Sequence, residues 1–262
     1  VAPSRLYEAV MKSHAGLTYT QAWQAVGEDD PAARAAIGPL LPQVERLHQL
    51  YKVFAKARTK RGAIEFESSE VRFILDNTGQ VTQAGMLVRN DAHKLIEECM
   101  IAANVQAARY LISKHVPAPY RDHEKPPESK FEDLQEFLKE FKLSLPPYAK
   151  VQPGDYTKLL KKVRERPDAA LLESVLLRSQ SLAVYSAENL GHFGLALDAY
   201  AHFTSPIRRY PDLLVHRAIK YALTGKPVDK YLYTQREMAT LTLLCSERER
   251  RAGEAKREVD ER

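Results

Sequence analysis

Apolar residues recur at helical spacing over most of this chain and alternate over only a short part of it. Leu40, Leu41, Val44, Leu47, Leu50, Tyr51 and Phe54 follow the three-to-four-residue rhythm of one helix face. They predict a long amphipathic helix up to about Lys60, stopped by Gly62. Leu95, Cys99, Ala103, Ala107 and Leu111 mark a second long helix over residues 92–114. A neighbouring stripe carries Glu97, Ile101, Asn104 and Ala108, while Lys94, Glu98, Ala102 and Arg109 read as a solvated face. On this pattern Glu97 is the acid aimed at half-buried surroundings, and Glu98 is not. Phe131, Leu134, Phe137, Leu138 and Phe141 predict a compact helix ended by Pro146 and Pro147. Further helices are expected over 156–163, 167–185 and 234–258, and a short one capped by Thr18 or Thr20 reaches Val26. Between 116 and 130 the proline-rich sequence predicts loop with short extended pieces. Strand character is confined to residues 6–15, 63–66, 71–76 and 81–88, the last two joined by an Asn77-Thr-Gly79 turn. The fold class is therefore α+β and helix-rich, with a small mixed or antiparallel sheet packed against long helices.

Charge adds little to this picture. The net charge of +5 and pI near 9.0 permit a polyanionic partner, but the charges of both signs are well mixed. The basic end of the first long helix (Lys52, Lys56, Arg58, Lys60, Arg61) is what the helix dipole favours in any case. Lys158, Lys161, Lys162, Arg164 and Arg166 read as solvated surface first and a polyanion contact second. Cys99 and Cys245 lie far apart in helical patterns and read as reduced, buried thiols of a cytoplasmic protein. No CxxC pair and no HExxH helix is present, and no apolar run is long enough to span a membrane.

The chemistry concentrates in one stretch, His202-Phe-Thr-Ser-Pro-Ile-Arg-Arg-Tyr-Pro-Asp-Leu-Leu-Val-His-Arg217. Thr204 and Ser205 can cap a helix start with Pro206 in its first position, and Pro211 then breaks the run before a helix over 211–223. Arg208 and Arg209 are thereby held on a short, proline-bracketed turn. Two readings of that turn compete. A guanidinium fixed there suits forked recognition of phosphate, whereas Arg208 and Asp212, four residues apart, also suit an ordinary helix-face ion pair.

This stretch, the preceding His192-Phe-Gly-Leu-Ala-Leu, and Asn90-Asp-Ala-His-Lys-Leu-Ile-Glu-Glu-Cys-Met-Ile-Ala-Ala-Asn104 resemble the ribonuclease II/ribonuclease R family, on the ribonuclease R side, whose catalytic module is the RNB domain. The resemblance runs over nearly the whole chain. It implies a processive, metal-dependent hydrolase that shortens single-stranded RNA from its 3′ end. Under it, Arg208 is the catalytic arginine, with Arg209 beside it as an RNA contact. Leu17-Thr-Tyr-Thr20 picks out Tyr19 near the reactive end of the RNA, and Phe66 falls near an aromatic that stacks on it. One acid of the Glu97-Glu98 doublet contacts RNA; helical pattern and resemblance together favour Glu97. Glu254 is a candidate for holding the RNA end.

One part of the family's chemistry has no counterpart here. Its Mg²⁺ is held by a short run of closely spaced aspartates, and residues 1–262 contain no such run. Asp29-Asp30 precedes Pro31 and reads as turn chemistry. The chain is thus expected to be the later part of an RNB domain, with the Mg²⁺ ligands and the flanking OB-fold domains outside it, and to be inactive alone. The rival readings are a non-catalytic RNA-binding module derived from an RNB domain, and a helical interaction protein with merely solvated basic faces.

Overall fold

A computed structural model of the protein describes residues 4–66, 70–78, 80–87 and 89–260. They form two compact units. The smaller comprises Met11–Lys60 and Glu65–Cys99, and the larger comprises the residues up to Val10, Arg61–Ile64 and Met100–Arg262.

In the smaller unit, α1 (Tyr19–Val26) begins where Thr18 Oγ1 accepts the Gln21 amide at 3.1 Å. Asp30 caps α2 (Pro31–Ile37) by accepting the Ala33 amide at 2.7 Å, with Pro31 in the first turn where its missing donor costs nothing. Asp29 pairs with Arg34 at 3.0 Å, so the Asp29-Asp30 doublet is turn and cap chemistry. α3 (Leu41–Arg61) follows a single 3-10 turn at Gly38–Leu40. Ala25, Ala33, Ile37 and Val44 make a small core. An antiparallel hairpin, β1 (Glu70–Leu75) and β2 (Val81–Leu87), pairs Glu70 with Leu87 and Leu75 with Val81. Its turn is closed by the Asp76 carboxylate, which accepts the amides of Thr78 and Gln80 at 2.8 and 3.0 Å. The unit ends on the first turns of α4 (Asp91–Lys114), capped by Asn90.

The larger unit is built on the remainder of α4. Ala107, Ala108 and Leu111 pack against Val116, Ala118, Tyr120, Ala199, Ala201, Val215, Ala218 and Ile219. Alanines on facing elements let backbones approach closely, which explains so dense a core with few large side chains. β3 (Tyr120–Asp122) pairs antiparallel with β4 (Val184–Ser186). Between them in sequence lie α5 (Glu128–Glu140), α6 (Pro153–Val163) and α7 (Ala169–Arg178), which bury Phe131, Leu138, Tyr156, Leu160, Leu172 and Leu176. After α8 (Tyr210–Leu223), α9 (Gln235–Asp260) starts in a reciprocal cap between Thr234 and Glu237. It packs on β4, where Ser246 Oγ accepts the Tyr185 amide at 2.8 Å. Cys99 and Cys245 are free and half-buried.

The α+β class holds, but its sheet is two separate two-stranded ribbons. Residues 6–15 form no strand. Leu6 packs on the core and Ser4 and Glu8 are tied by side chains to Gln106 and Lys220, so no backbone ladder forms, and Tyr7, Val10 and Met11 stay exposed. Residues 63–66 are not a strand either: the Ile64 amide reaches Gly194 O at 2.7 Å in an isolated contact. The helix expected over 167–185 stops at Arg178, because Ser179 and Gln180 turn their side chains back onto Leu176 O and satisfy the helix end.

Gly62 closes α3 with φ +81°, and a Cβ there would lie 2.8 Å from the Gly154 Cα. Gly62→Ala is therefore expected to cost about 1–3 kcal/mol from backbone strain alone, with the clash in addition. Gly154→Ala, whose new Cβ would meet nothing closer than 3.8 Å, should leave the melting temperature nearly unchanged. Equal shifts for the two variants in thermal unfolding would refute this account.

Candidate functional site

The Ser205–Arg209 turn is held from both ends. Ser205 O accepts the amides of Arg208 and Arg209 at 3.2 and 3.0 Å, and the Ser205 amide donates to Asp212 Oδ1 at 2.8 Å. Asp212 is fully buried in the first turn of α8, where helix amides favour a carboxylate. The same Oδ1 accepts Arg209 Nη2 at 2.7 Å. The ion pair expected between Arg208 and Asp212 is thus made by Arg209 instead. The reason is local: residues 206–208 form a turn rather than the helical start expected from Thr204 and Ser205, so the four-residue helical spacing does not apply. α8 begins at Tyr210 with Pro211 in its first turn. Arg208 is exposed, takes no carboxylate among the described residues, and donates to Ser205 Oγ at 3.4 Å. Ile207 beside it is fully exposed. Arg209 is turned inward, spent on Asp212.

Close to the turn lie the buried Tyr185 ring and a set of half-buried imidazoles. His202 Nδ1 shares a 2.8 Å hydrogen bond with the Tyr185 hydroxyl. The Tyr185 ring lies under the Arg121 guanidinium, 4.6 Å from its centroid, and Arg121 pairs with Glu249 of α9 at 2.6 Å. His192 stacks on His123 at 5.0 Å. His123 Nδ1 accepts the Gly194 amide at 2.8 Å, and His192 Nδ1 accepts the Leu195 amide at 3.2 Å. Each ring thereby acts as a neutral acceptor. Burial, with Arg209 and Arg121 nearby, pushes His202 down to about 3. Burial, with His123 and Arg121 nearby, does the same to His192, again to about 3.

These depressed values carry a pH dependence. Stability from a neutral buried histidine is complete above its unfolded pKa of 6.5 and is lost as pH falls toward the folded value near 3. Asp122 acts oppositely. Burial raises it from 3.8 to about 6, so acidification through that window favours its folded, protonated form. Two imidazoles with larger shifts outweigh one carboxyl. The melting temperature should fall steadily from pH 6.5 to pH 4, and His192→Gln should flatten the slope. A melting temperature that rises on acidification in calorimetry would contradict the assignment.

In the smaller unit the structure places Tyr19 at the start of α1, exposed, with its ring stacked on His93 at 4.1 Å and 22°. His93 was not singled out by the sequence; its position two residues after Asp91 in a helix start gave no aromatic pattern to notice. Phe66 is half-buried and outside any strand. Glu97 is half-buried as expected, but the expectation that Glu98 lies on a solvated face fails. Glu98 is 6 % exposed and Glu97 is the more open acid. Arg58 of α3 donates to Glu98 Oε1 at 2.6 Å and to Glu97 Oε1 at 3.2 Å, while Arg89 pairs with the second Glu97 oxygen. The pattern of α4 alone treated the Glu98 face as solvated, whereas the basic end of α3 covers it. Both acids, with Tyr51, Glu65, Arg89 and Lys94, line one small polar pocket. Glu254 is exposed on the C-terminal half of α9 in the larger unit, the unit that also holds Arg208 and Arg209.

Among the described residues, no three His, Cys, Asp or Glu side chains converge to hold a metal ion, so the residues present do not form a Mg²⁺ cage. Among them, too, no helix is long and apolar enough to cross a membrane.

Comparison with known proteins gives this geometry a context. The profile of the RNB domain matches residues 1–225. Ribonuclease R of Escherichia coli is 49% identical over 263 residues, covering 97% of this chain and 32% of its own length. Ribonuclease R of Aquifex aeolicus is 38% identical, with 97% and 36% covered. The chain spans about a third of the length of these curated relatives. Among solved structures, Mycoplasma genitalium RNase R in complex with ribose-methylated single-stranded RNA superposes with a TM-score of 0.81 at 23% identity, covering 92% of this chain and 38% of that one. Yeast Ssd1, a pseudonuclease, superposes at 0.57 with 19% identity, covering 77% and 25%.

Proposed function

The chain belongs to the RNB domain family, and from that premise we propose that it supplies the RNA-channel walls and the phosphate-binding arginine of a processive, cytoplasmic 3′ to 5′ exoribonuclease. The substrate is single-stranded RNA and the products are nucleoside monophosphates. The observation that carries the reading is the unequal fate of two adjacent arginines: Arg209 is neutralised by buried Asp212, and Arg208 is left exposed on a closed turn. A fold needs only the first. The second is an exposed cation that pairs with no carboxylate among the described residues.

When water attacks the terminal phosphodiester, negative charge builds on the non-bridging oxygens and on the departing 3′ oxygen. Arg208 is suited to meet that charge with two parallel N–H donors. Tyr19 offers a π face to a terminal base, which any base satisfies, as processive degradation requires. Phe66 is assigned a second stack, and Glu97 an acceptor for ribose hydroxyls, the groups that separate RNA from DNA. In this reading Mg²⁺ would be held by carboxylates outside residues 1–262 and would supply charge neutralisation at the phosphate.

The test is digestion of 5′-labelled RNA by a full-length protein of this family carrying this segment. The expected result is stepwise shortening from the 3′ end, mononucleotide release, and resistance of DNA of the same sequence. The 262-residue chain alone should release nothing. RNA binding by the full-length protein without hydrolysis would favour the non-catalytic module.

A further inference from the structure

We propose that Asp212 is the positioning residue for Arg208, a buried clamp that fixes where that guanidinium points. The inference rests on the arginine reading above and deepens it. Asp212 itself is fully buried. Its Oδ1 binds the backbone amide of Ser205, three residues before Arg208, and the guanidinium of Arg209, one residue after. With Ser205 O also taken by the amides of Arg208 and Arg209, the backbone on both sides of Arg208 is tied into one closed ring.

The clamp has a second effect. Asp212 is the nearest carboxylate in sequence to Arg208, and the turn gives it to Arg209 instead. The pair is buried and has no spare partners: Asp212 Oδ2, Arg209 Nε and Thr204 Oγ1 are all shielded from solvent without a hydrogen bond. Arg209 therefore cannot swing outward without leaving a buried carboxylate uncompensated. Asp212 itself is anchored by α8, whose Leu214, Val215 and Ala218 are fully buried. One acid thus both shapes the turn and keeps its outer arginine uncommitted.

A purely architectural role makes a different prediction from a positioning role, and a double-mutant cycle separates them. In the full-length protein, single-turnover hydrolysis and RNA affinity are measured for Asp212→Asn, Arg208→Ala and the double variant. Asn keeps an acceptor for the Ser205 amide but gives up the charge on Arg209. Asp212→Asn should slow hydrolysis on the order of a hundredfold, the scale of a misplaced group of about 1 Å, with RNA affinity little changed. On the Arg208→Ala background the same substitution should slow it no further. Equal additional losses on both backgrounds would overturn positioning while leaving the arginine reading intact. A normal rate in Arg208→Ala would overturn the arginine reading itself, and this inference with it. Should Asp212→Asn fail to fold, Arg209→Gln opens the same clamp from its other side. Its rate loss should also vanish on the Arg208→Ala background, and persistence there would refute the proposal.

Discussion

Replacing Arg208 with lysine should lower the rate of RNA hydrolysis in the full-length protein by on the order of a hundred- to a thousandfold, the range for removing one preorganised donor aimed at transition-state charge. RNA affinity should stay close to its starting value. Lysine preserves the positive charge but loses the planar fork of donors. A role as a diffuse cation would survive the change, and a role as a two-pronged donor would not. The expected loss corresponds to about 2.7–4 kcal/mol of barrier. Arg209→Lys is the control one residue along. An ammonium there can still pair with Asp212, so its effect should be small and should fall mainly on thermal stability. Equal, mild losses for the two variants would assign both to general electrostatics. Weakened binding without a slower chemical step would move Arg208 from catalysis to docking.

The second large effect is expected in the smaller unit, and on stability. Glu98→Ala leaves the Arg58 guanidinium, whose side chain is 16 % exposed, without its 2.6 Å partner. Removing one member of a buried pair costs about 3–5 kcal/mol. The lower end applies, because Glu97 keeps a 3.2 Å contact with the same guanidinium. Glu97→Ala should cost well under half as much, since its own carboxylate is more exposed and Arg58 retains Glu98. If Glu97 also meets RNA, the two substitutions separate cleanly: Glu98→Ala lowers the unfolding temperature, whereas Glu97→Ala weakens RNA binding with the fold intact. Identical melting temperatures for the two variants would show that Glu98 is not the acid that secures Arg58.

What the sequence made legible is what local physics decides. Thr18, Gly62, Asn77 and the proline pair 146–147 punctuate helices and turns through their own backbone preferences, so α1, α3, α5 and the hairpin turn could be placed without tertiary information. β3 and β4 could not. Each has three residues, and Tyr120 meets Ser186 across a long stretch of chain, so no local period announces them. The unexpected burial of Glu98 has the same origin. A helix's own pattern cannot say which neighbouring element will lie over its charged face, and here Arg58 does. At the central turn the sequence supplied the right groups with the wrong pairing. Helical spacing joined Arg208 to Asp212, but Pro206 and Pro211 bracket a non-helical turn that shifts the contact to Arg209. The half-buried rings of His192 and His202 sat inside stretches already singled out, yet nothing in their spacing distinguished a neutral packed imidazole from a reactive one.

The stack of Tyr19 on His93 sets a limit on what Tyr19 can do. An aromatic ring has two faces, and His93 already covers one of them. A base can then be added only on the other, so in a column of stacked bases Tyr19 is a terminus and never an interior member. A ring open on both sides would let the column pass through it. Under the proposed stacking role, a ring backed by imidazole would be an end-stop, the zero mark of a ruler: it would fix where the last nucleotide rests, and therefore how short a fragment could become before it no longer reached.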